Sequence, residues 1–146
     1  TEFTGLEWED VVTGTYYFKV CPDLLGMTST STTMQVCTTD ATLYRLKDVF
    51  GKNSHMKMQL LPDYTGKDAD GKYTYFRIPT AETPFKDGST TIGVRDIGYW
   101  QGNTAYVTDH GYESGMYEDY SCFFCIQYFA AKSKGYNYEF FVPDAK

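Results

Sequence analysis

The sequence predicts an all-β domain, an antiparallel β-sandwich or open barrel of eight to nine short strands. Aromatic residues make up 18% of the 146 residues, and aromatic side chains suit the pleated, half-buried surface of a sheet. Apolar and polar residues alternate in several segments, as strands require. Glycines and prolines separate these segments at short intervals, and no stretch of a dozen residues keeps a helical period.

Three short strands are predicted in the first third of the chain. Residues 14–20 begin with a glycine turn and end before Pro22. Residues 26–33 are rich in Ser and Thr and are expected to form an exposed loop. Alternation resumes over residues 33–38, and residues 43–47 form a further strand that ends near Gly51.

A β-hairpin is the clearest local prediction. In residues 55–61, Met56, Met58 and Leu60 occupy every second position, and in residues 72–78 Thr74, Phe76 and Ile78 alternate with Tyr73, Tyr75 and Arg77. The Asp70-Gly71 pair between the two runs supplies the positive φ that a tight hairpin turn needs.

The second half contains the most hydrophobic segment of the chain. Residues 120–130 are predicted to form a central strand that is buried on both faces. The other segments are, in order, a turn-rich connection (79–88), a strand (90–97), a short strand (104–108), a loop (110–119) and a last strand (136–142). We expect one domain over residues 1–146, excised or processed from a longer envelope protein.

Charge and hydropathy exclude several classes of partner. The formal net charge is −6, and Lys and Arg form no continuous stripe that could follow a phosphate backbone. Nucleic acid is therefore not an expected partner. No apolar run reaches the ~20 residues that cross a bilayer, so we expect no membrane insertion by this domain. A monomer without a cofactor is predicted.

The four cysteines allow several states. A Cys21–Cys37 disulfide would close a loop of about 15 residues and stabilise the fold by roughly 3 kcal/mol, but a domain of this size folds without one. Cys122 and Cys125 are three residues apart on a predicted strand, and such residues face opposite sides of a sheet. We therefore interpret them as buried structural thiols rather than as a redox or metal pair.

No catalytic or metal site is predicted. Asp63, Asp68 and Asp70 could form a loose calcium site, but a solvated hairpin turn explains them more simply because an EF-hand pattern is absent. The histidines, His55 and His110, have no Ser or Cys nucleophile elbow to serve. Carboxylate pairs such as Glu118-Asp119 are expected by coincidence in a chain with 19 acidic residues. The chain is predicted not to be an enzyme.

Exposed aromatic residues are the best candidates for a binding site. A flat ring that stacks on a sugar, flanked by amide and carboxylate groups, is the usual chemistry of carbohydrate recognition, and such sites lie on loops of a rigid scaffold. The predicted ligand-binding residues are Tyr99, Trp100, Gln101, Asn103, Asp96 and Tyr112, and Tyr117 and Tyr120 could extend the surface. In the alternative interpretation, Trp100 closes the open end of the core.

Two segments resemble a known class of proteins. Gly14-Thr15-Tyr16-Tyr17-Phe18 resembles the opening strand of Bacteroidetes cell-envelope lipoproteins, and residues 44–51 (Tyr-Arg-Leu-Lys-Asp-Val-Phe-Gly) are similar to a strand-and-corner motif of those proteins. Residues 105–109 and 135–140 are similar to further recurring pieces. The resemblance implies a β-rich, secreted, lipid-anchored protein of the adhesion or glycan-associated kind, at the outer membrane.

Two functions follow as hypotheses. The first is a non-catalytic surface module for binding or adhesion that recognises a glycan, or a surface protein, through its aromatic residues. The second is a structural spacer of an envelope lipoprotein with no ligand of its own. The exposure of the aromatic side chains distinguishes them.

Overall fold

The described residues fold into ten antiparallel strands, which confirms the all-β prediction. The computed structural model describes residues 7–52, 54–69, 71–98, 107 and 111–144. The strands are β1 (Trp8–Tyr17), β2 (Ser29–Cys37), β3 (Asp40–Gly51), β4 (Ser54–Asp68), β5 (Gly71–Arg77), β6 (Ala81–Asp87), β7 (Thr90–Asp96), β8 (Ser114–Tyr117), β9 (Cys122–Phe129) and β10 (Ser133–Pro143). A helix of four residues, α1 (Pro22–Leu25), follows β1. No helix among these residues is long and apolar enough to cross a membrane.

Eight strands close into a barrel, so the predicted sandwich or open barrel is wrong. The order around the barrel is β1-β2-β3-β4-β5-β8-β9-β10. β10 closes the sheet because it pairs with β9 along one edge and with β1 along the other. The second edge of β9 is shared: Cys122 and Phe123 pair with β8, whereas residues 126–129 pair with β7. β6 and β7 form a hairpin that extends the sheet from this fork.

The barrel interior is filled with side chains. Along β9, Phe124, Ile126 and Tyr128 are fully buried and belong to the main core, whereas Phe123 and Phe129 face outward and are half-buried. The other large, fully buried residues that pack with them include Tyr16, Met34, Leu46, Phe50, Met56, Met58, Phe76 and Phe141. The interior of an eight-stranded barrel is filled by side chains or holds one small ligand, and because large buried side chains occupy it here, we expect a ligand site on the outer face.

Several predicted loops are strands. Residues 29–33 belong to β2, because β-branched Thr is compatible with an extended, partly exposed strand. Residues 81–87 form β6, the last strand of the sheet, where Pro84 is tolerated because an edge strand lacks one partner. Residues 114–117 form β8, whose Ser114 and Gly115 gave no strand signal in the sequence.

Other predicted elements are confirmed. The β4–β5 hairpin pairs Asp68 with Gly71, and Gly71 has a φ of 128°. The strands expected at 90–97, 120–130 and 136–142 correspond to β7, β9 and β10. Of the strand expected at 104–108, only Val107 lies within the described residues, and it is helical and buried.

Candidate functional site

A cleft of about 550 Å³ lies across the outer face of β5, β8, β9 and β10. Outward-facing tyrosines and phenylalanines form most of its wall, and we call it the aromatic cleft. Its described lining residues are Asp68, Tyr73, Tyr75, Gly111, Glu113, Tyr117, Ser121, Cys122, Phe123, Tyr138, Phe140, Phe141 and Val142.

The strand register places aromatic side chains in one row. Tyr75 on β5 is opposite Gly115 on β8, Gly115 is opposite Phe123 on β9, and Phe123 is opposite Phe140 on β10. Phe140 is in turn opposite Tyr17 on β1. Adjacent strands are about 4.8 Å apart, so the row from Tyr75 to Tyr17 extends for roughly 19 Å around the barrel.

Phe123 is the centre of this aromatic group. Its ring centroid lies 5.3 Å from that of Tyr73 and 5.8 Å from that of Tyr117, and the ring planes are at 85° and 60°. The ring also covers Gly115, where an added Cβ would lie only 2.7 Å from Phe123 Cζ. Because edge-to-face pairs favour a particular geometry, these contacts hold the Phe123 ring in one orientation.

Carboxylates at the rim orient the tyrosine hydroxyls. Tyr117 donates a hydrogen bond of 2.6 Å to Asp68, and Tyr64 donates one of 2.7 Å to Glu113. Glu113 also forms an ion pair of 2.8 Å with Arg77, and about 10% of each of these two side chains is exposed. The pair joins β5 to the segment before β8 and thereby supports one wall of the cleft.

The phenol groups of Tyr75 and Tyr138 in the cleft remain protonated at neutral pH. Burial raises the pKa of Tyr138 to about 12. Burial also raises the pKa of Tyr75, and its hydrogen bond with Tyr73 raises it further. These tyrosines therefore present neutral rings and hydroxyl groups to a ligand.

The exposed apolar surface of the cleft is concentrated on β10. Phe140 is 40% exposed and Val142 is 47% exposed. Cys122 contributes to the lining but its side chain is buried, and burial raises the pKa of its thiol well above the ordinary value. This is the opposite of the shift that activates a nucleophilic thiol. The cleft is equipped for stacking and hydrogen bonding.

The predicted site residues fall into two groups. Tyr99, Trp100, Gln101 and Asn103 lie outside the described residues. Asp96 is buried and accepts a hydrogen bond of 2.8 Å from the Ile78 amide. Tyr112 is half-buried, packs against Ile97, Val107 and Cys125, and has its ring 5.8 Å from that of Tyr136.

Of the residues expected to extend the site, Tyr117 lines the aromatic cleft. Tyr120 is exposed at the tip of the β8–β9 hairpin. The outward rings of Tyr73, Tyr75 and Phe123 were not predicted as part of a site. The alternation in β5 did contain the signal, since Tyr73 and Tyr75 had to face away from the core when Phe76 faced it.

The cysteines are all free. Cys122 belongs to the main core and Cys125 to a second apolar cluster on the outer side of β9. The prediction that they are buried thiols on opposite faces is therefore confirmed. The sequence left open whether Cys21 and Cys37 form a disulfide or are free thiols. In the structure they form no disulfide.

The other candidate groups have local roles. Among the described residues, no three His, Cys, Asp or Glu side chains are grouped closely enough to hold a metal ion. His55 accepts a hydrogen bond of 3.0 Å from the Asp48 amide. Asp119 accepts hydrogen bonds from the amide and hydroxyl of Ser121 and so stabilises the β8–β9 turn. Asp70 and His110 lie outside the part of the chain that the structure describes.

Comparison with known proteins identifies no relative: no family model, no curated protein and no solved structure matches the chain. The resemblance to envelope lipoproteins therefore remains a prediction from short motifs.

Proposed function

We propose that this domain is a non-catalytic binding module that recognises a carbohydrate through the aromatic cleft. The observation that carries the proposal is the row of four outward rings, those of Tyr75, Phe123, Phe140 and Tyr17, next to a cleft of about 550 Å³. Ligand sites combine apolar and aromatic walls with a few polar groups at fixed positions. The aromatic cleft has both.

The chemistry of the walls favours a sugar. The flat C–H face of a pyranose stacks on an aromatic ring, and its hydroxyls need hydrogen-bond partners at the ring's edge. Phe123 and Phe140 provide rings without polar groups, whereas Tyr117 and Asp68 provide a hydroxyl and a carboxylate. Phe123 is held by its neighbours before a ligand arrives, which reduces the entropic cost of binding.

Substitution of Phe140 tests the site. Phe140→Ala removes an exposed ring of the cleft and should leave the core intact. One aromatic contact contributes about 1 kcal/mol, so we expect the affinity for the best ligand on a glycan array to fall roughly fivefold or more. Circular dichroism and thermal unfolding check that the variant is folded.

Tyr136→Ala is the matched control, because Tyr136 is also an exposed aromatic residue of β10 but does not line the cleft. A loss of binding with Tyr136→Ala but not with Phe140→Ala would move the site toward Tyr112. Trp100→Ala tests the loop predicted from the sequence in the same assay. An array with no signal for any glycan would contradict the proposal and favour the structural spacer.

We also propose that the domain is secreted or displayed at the cell surface, anchored in the outer membrane through an N-terminal leader. The support is the similarity of residues 14–18 and 44–51 to envelope-lipoprotein segments. Fractionation of cells that express the natural full-length protein should recover it with the outer membrane, and protease added to intact cells should digest it. Recovery in the cytosolic fraction would contradict this location.

A further inference from the structure

The aromatic cleft adjoins a second cleft with a different character. The second cleft has a volume of about 800 Å³ and is lined by Val11, Val12, Tyr117, Glu118, Asp119, Tyr120, Ser121, Val142, Pro143 and Asp144. We call it the acidic cleft. Tyr117, Ser121 and Val142 line both clefts, so the two adjoin along the β8–β9 turn and the end of β10, and we call the two together the groove.

Carboxylates dominate the charge of this groove. Glu113 is paired with Arg77, and Asp68, Glu118, Asp119 and Asp144 also contribute to the lining. Among the described residues, no Lys or Arg lines either cleft. Lys72 lines a separate hollow of about 210 Å³.

The charge of the acidic cleft is maintained by the fold. Hydrogen bonds from the hydroxyl and amide of Ser121 lower the pKa of Asp119, so that this carboxyl is ionised at neutral pH. Glu118 is exposed beside it in the same turn. On the other side, the amide of Asp144 donates a hydrogen bond of 2.9 Å to the Thr13 carbonyl, which fixes the end of β10 against β1.

We propose that the groove selects oligosaccharides of amino sugars that carry free ammonium groups. This inference rests on the proposed carbohydrate-binding function and specifies the class of sugar. The pyranose rings stack in the aromatic cleft, and the ammonium groups lie among the carboxylates of the acidic cleft. Complementary charge attracts such a chain and repels uronic acids and sulfated or sialylated glycans.

A polymeric organic cation fits this groove better than a metal ion does. The acidic side chains are distributed along it, and none of the described ones forms a group of three that could hold a metal. An amino-sugar chain carries its charges at intervals along its length, so each carboxylate can act separately. An N-acetylated chain has the same backbone but no charge, which makes it the decisive comparison.

Isothermal titration with three oligosaccharides of equal length tests the inference: a glucosamine oligomer, its fully N-acetylated counterpart and a galacturonic acid oligomer. At slightly acidic pH we expect the glucosamine oligomer to bind most tightly and the galacturonic acid oligomer not to bind. Added salt should weaken binding of the glucosamine oligomer, because it screens exposed charges. It should leave binding of the N-acetylated oligomer unchanged.

The double variant Glu118→Gln, Asp144→Asn locates the effect. Two exposed ion pairs contribute modestly, so the affinity for the glucosamine oligomer should fall by about fivefold, with the N-acetylated oligomer unaffected. Asp63→Asn is the control because it removes one exposed negative charge outside both clefts.

The outcomes separate the two proposals. Binding of the N-acetylated oligomer as tight as that of the glucosamine oligomer, or an equal effect of Asp63→Asn, would overturn the inference and leave carbohydrate binding intact. Preference for the galacturonic acid oligomer would overturn it as well. If no oligomer binds and the glycan array is also blank, the proposed function fails and the inference fails with it.

Discussion

Glu139 on β10 accepts a hydrogen bond of 2.7 Å from the hydroxyl of Tyr16 on β1, and both side chains are completely buried. Tyr128 donates to the same Glu139 oxygen over 2.7 Å. The amides of Lys19 and Val20 donate to the other oxygen over 2.8 and 3.0 Å. A single carboxylate therefore joins β1, β9, β10 and the segment that leads to α1.

Glu139→Gln should reduce the free energy of unfolding by about 2 kcal/mol, because the amide nitrogen cannot accept hydrogen bonds and leaves buried donors unsatisfied. Urea denaturation measures the change. Tyr128→Phe removes one donor and keeps the acceptor, so it should cost only about 1 kcal/mol. Equal stability of the wild type and Glu139→Gln would contradict the structural role of this group.

The stability difference between the wild type and Glu139→Gln should depend on pH. Burial raises the pKa of Glu139 above its ordinary value of 4.5, although the four hydrogen bonds oppose the shift. Between 4.5 and the raised pKa, the folded protein binds more protons than the unfolded chain does, so its free energy of unfolding falls as the pH rises. The contribution of Glu139 to the free energy of unfolding is complete below pH 4.5, and it is lost as the pH rises through the pKa that Glu139 has in the folded protein.

Since Gln does not titrate, the advantage of the wild type over Glu139→Gln should shrink as the pH rises through this window. Urea denaturation of both proteins at a series of pH values measures it, and the titration of all other groups cancels in the difference. A difference that stays constant or grows with pH would show that the pKa of Glu139 is not raised.

Gly115→Ala should destabilise the barrel by about 1–3 kcal/mol, the usual cost of an extra methyl group in a packed site. The new Cβ would lie 2.7 Å from Phe123 Cζ and 3.1 Å from Tyr73 Cδ1. Thermal unfolding measures the loss. Phe123→Leu in the same chain should recover part of it, because the smaller side chain makes room, and a double-mutant cycle isolates this coupling. Additive effects of the two substitutions would show that the ring does not lie over Gly115.

Strands with a clear local sequence pattern were predicted correctly. Strands that are stabilised mainly by contacts with distant parts of the chain were missed. β9 is a continuous apolar run, and β4 and β5 are alternating runs that the sequence separates with a turn-forming Asp-Gly pair. β8 has no such signal, because Gly115 is in a strand where the Phe123 ring covers it. The closure of the barrel depends on the pairing of Tyr17 with Phe140, residues far apart in the chain.

The candidate site was predictable only in part. Alternation in β5 showed that Tyr73 and Tyr75 share the face opposite Phe76. It could not show that Phe123 and Phe140 would stand beside them, since the order of strands around the barrel is a long-range property. The aromatic cleft is therefore visible in the structure and only partly in the sequence.

The thiols of Cys21, Cys122 and Cys125 should differ in reactivity. Cys21 is half-buried, whereas Cys122 and Cys125 are buried in two apolar clusters. Burial raises the pKa of Cys21 and of Cys125 to about 11. Reaction of the native protein with iodoacetamide, followed by peptide mass spectrometry, should modify Cys21 before Cys122 and Cys125, and denaturant should make all of them react. Early modification of Cys122 would contradict its position in the core.

Tyr120 should be a position where stability and binding conflict. Its φ of 74° lies in the left-handed region, which costs a residue with a Cβ about 1 kcal/mol or more, whereas Asn adopts this conformation more readily. Tyr120→Asn should therefore raise the free energy of unfolding by about 0.5–1 kcal/mol. Tyr120→Ala keeps the strained left-handed backbone, so it should not raise the free energy of unfolding.

Both variants remove the same ring from the acidic cleft, so both should weaken binding of the glucosamine oligomer to a similar extent. Urea denaturation compares the stabilities of the two variants, and isothermal titration with the glucosamine oligomer compares their affinities. If Tyr120→Asn and Tyr120→Ala are equally stable, the left-handed backbone at this turn carries no strain. If only Tyr120→Ala weakens binding, the Asn side chain makes a polar contact with the ligand in place of Tyr120, and the aromatic ring itself contributes nothing to recognition at this end of the groove.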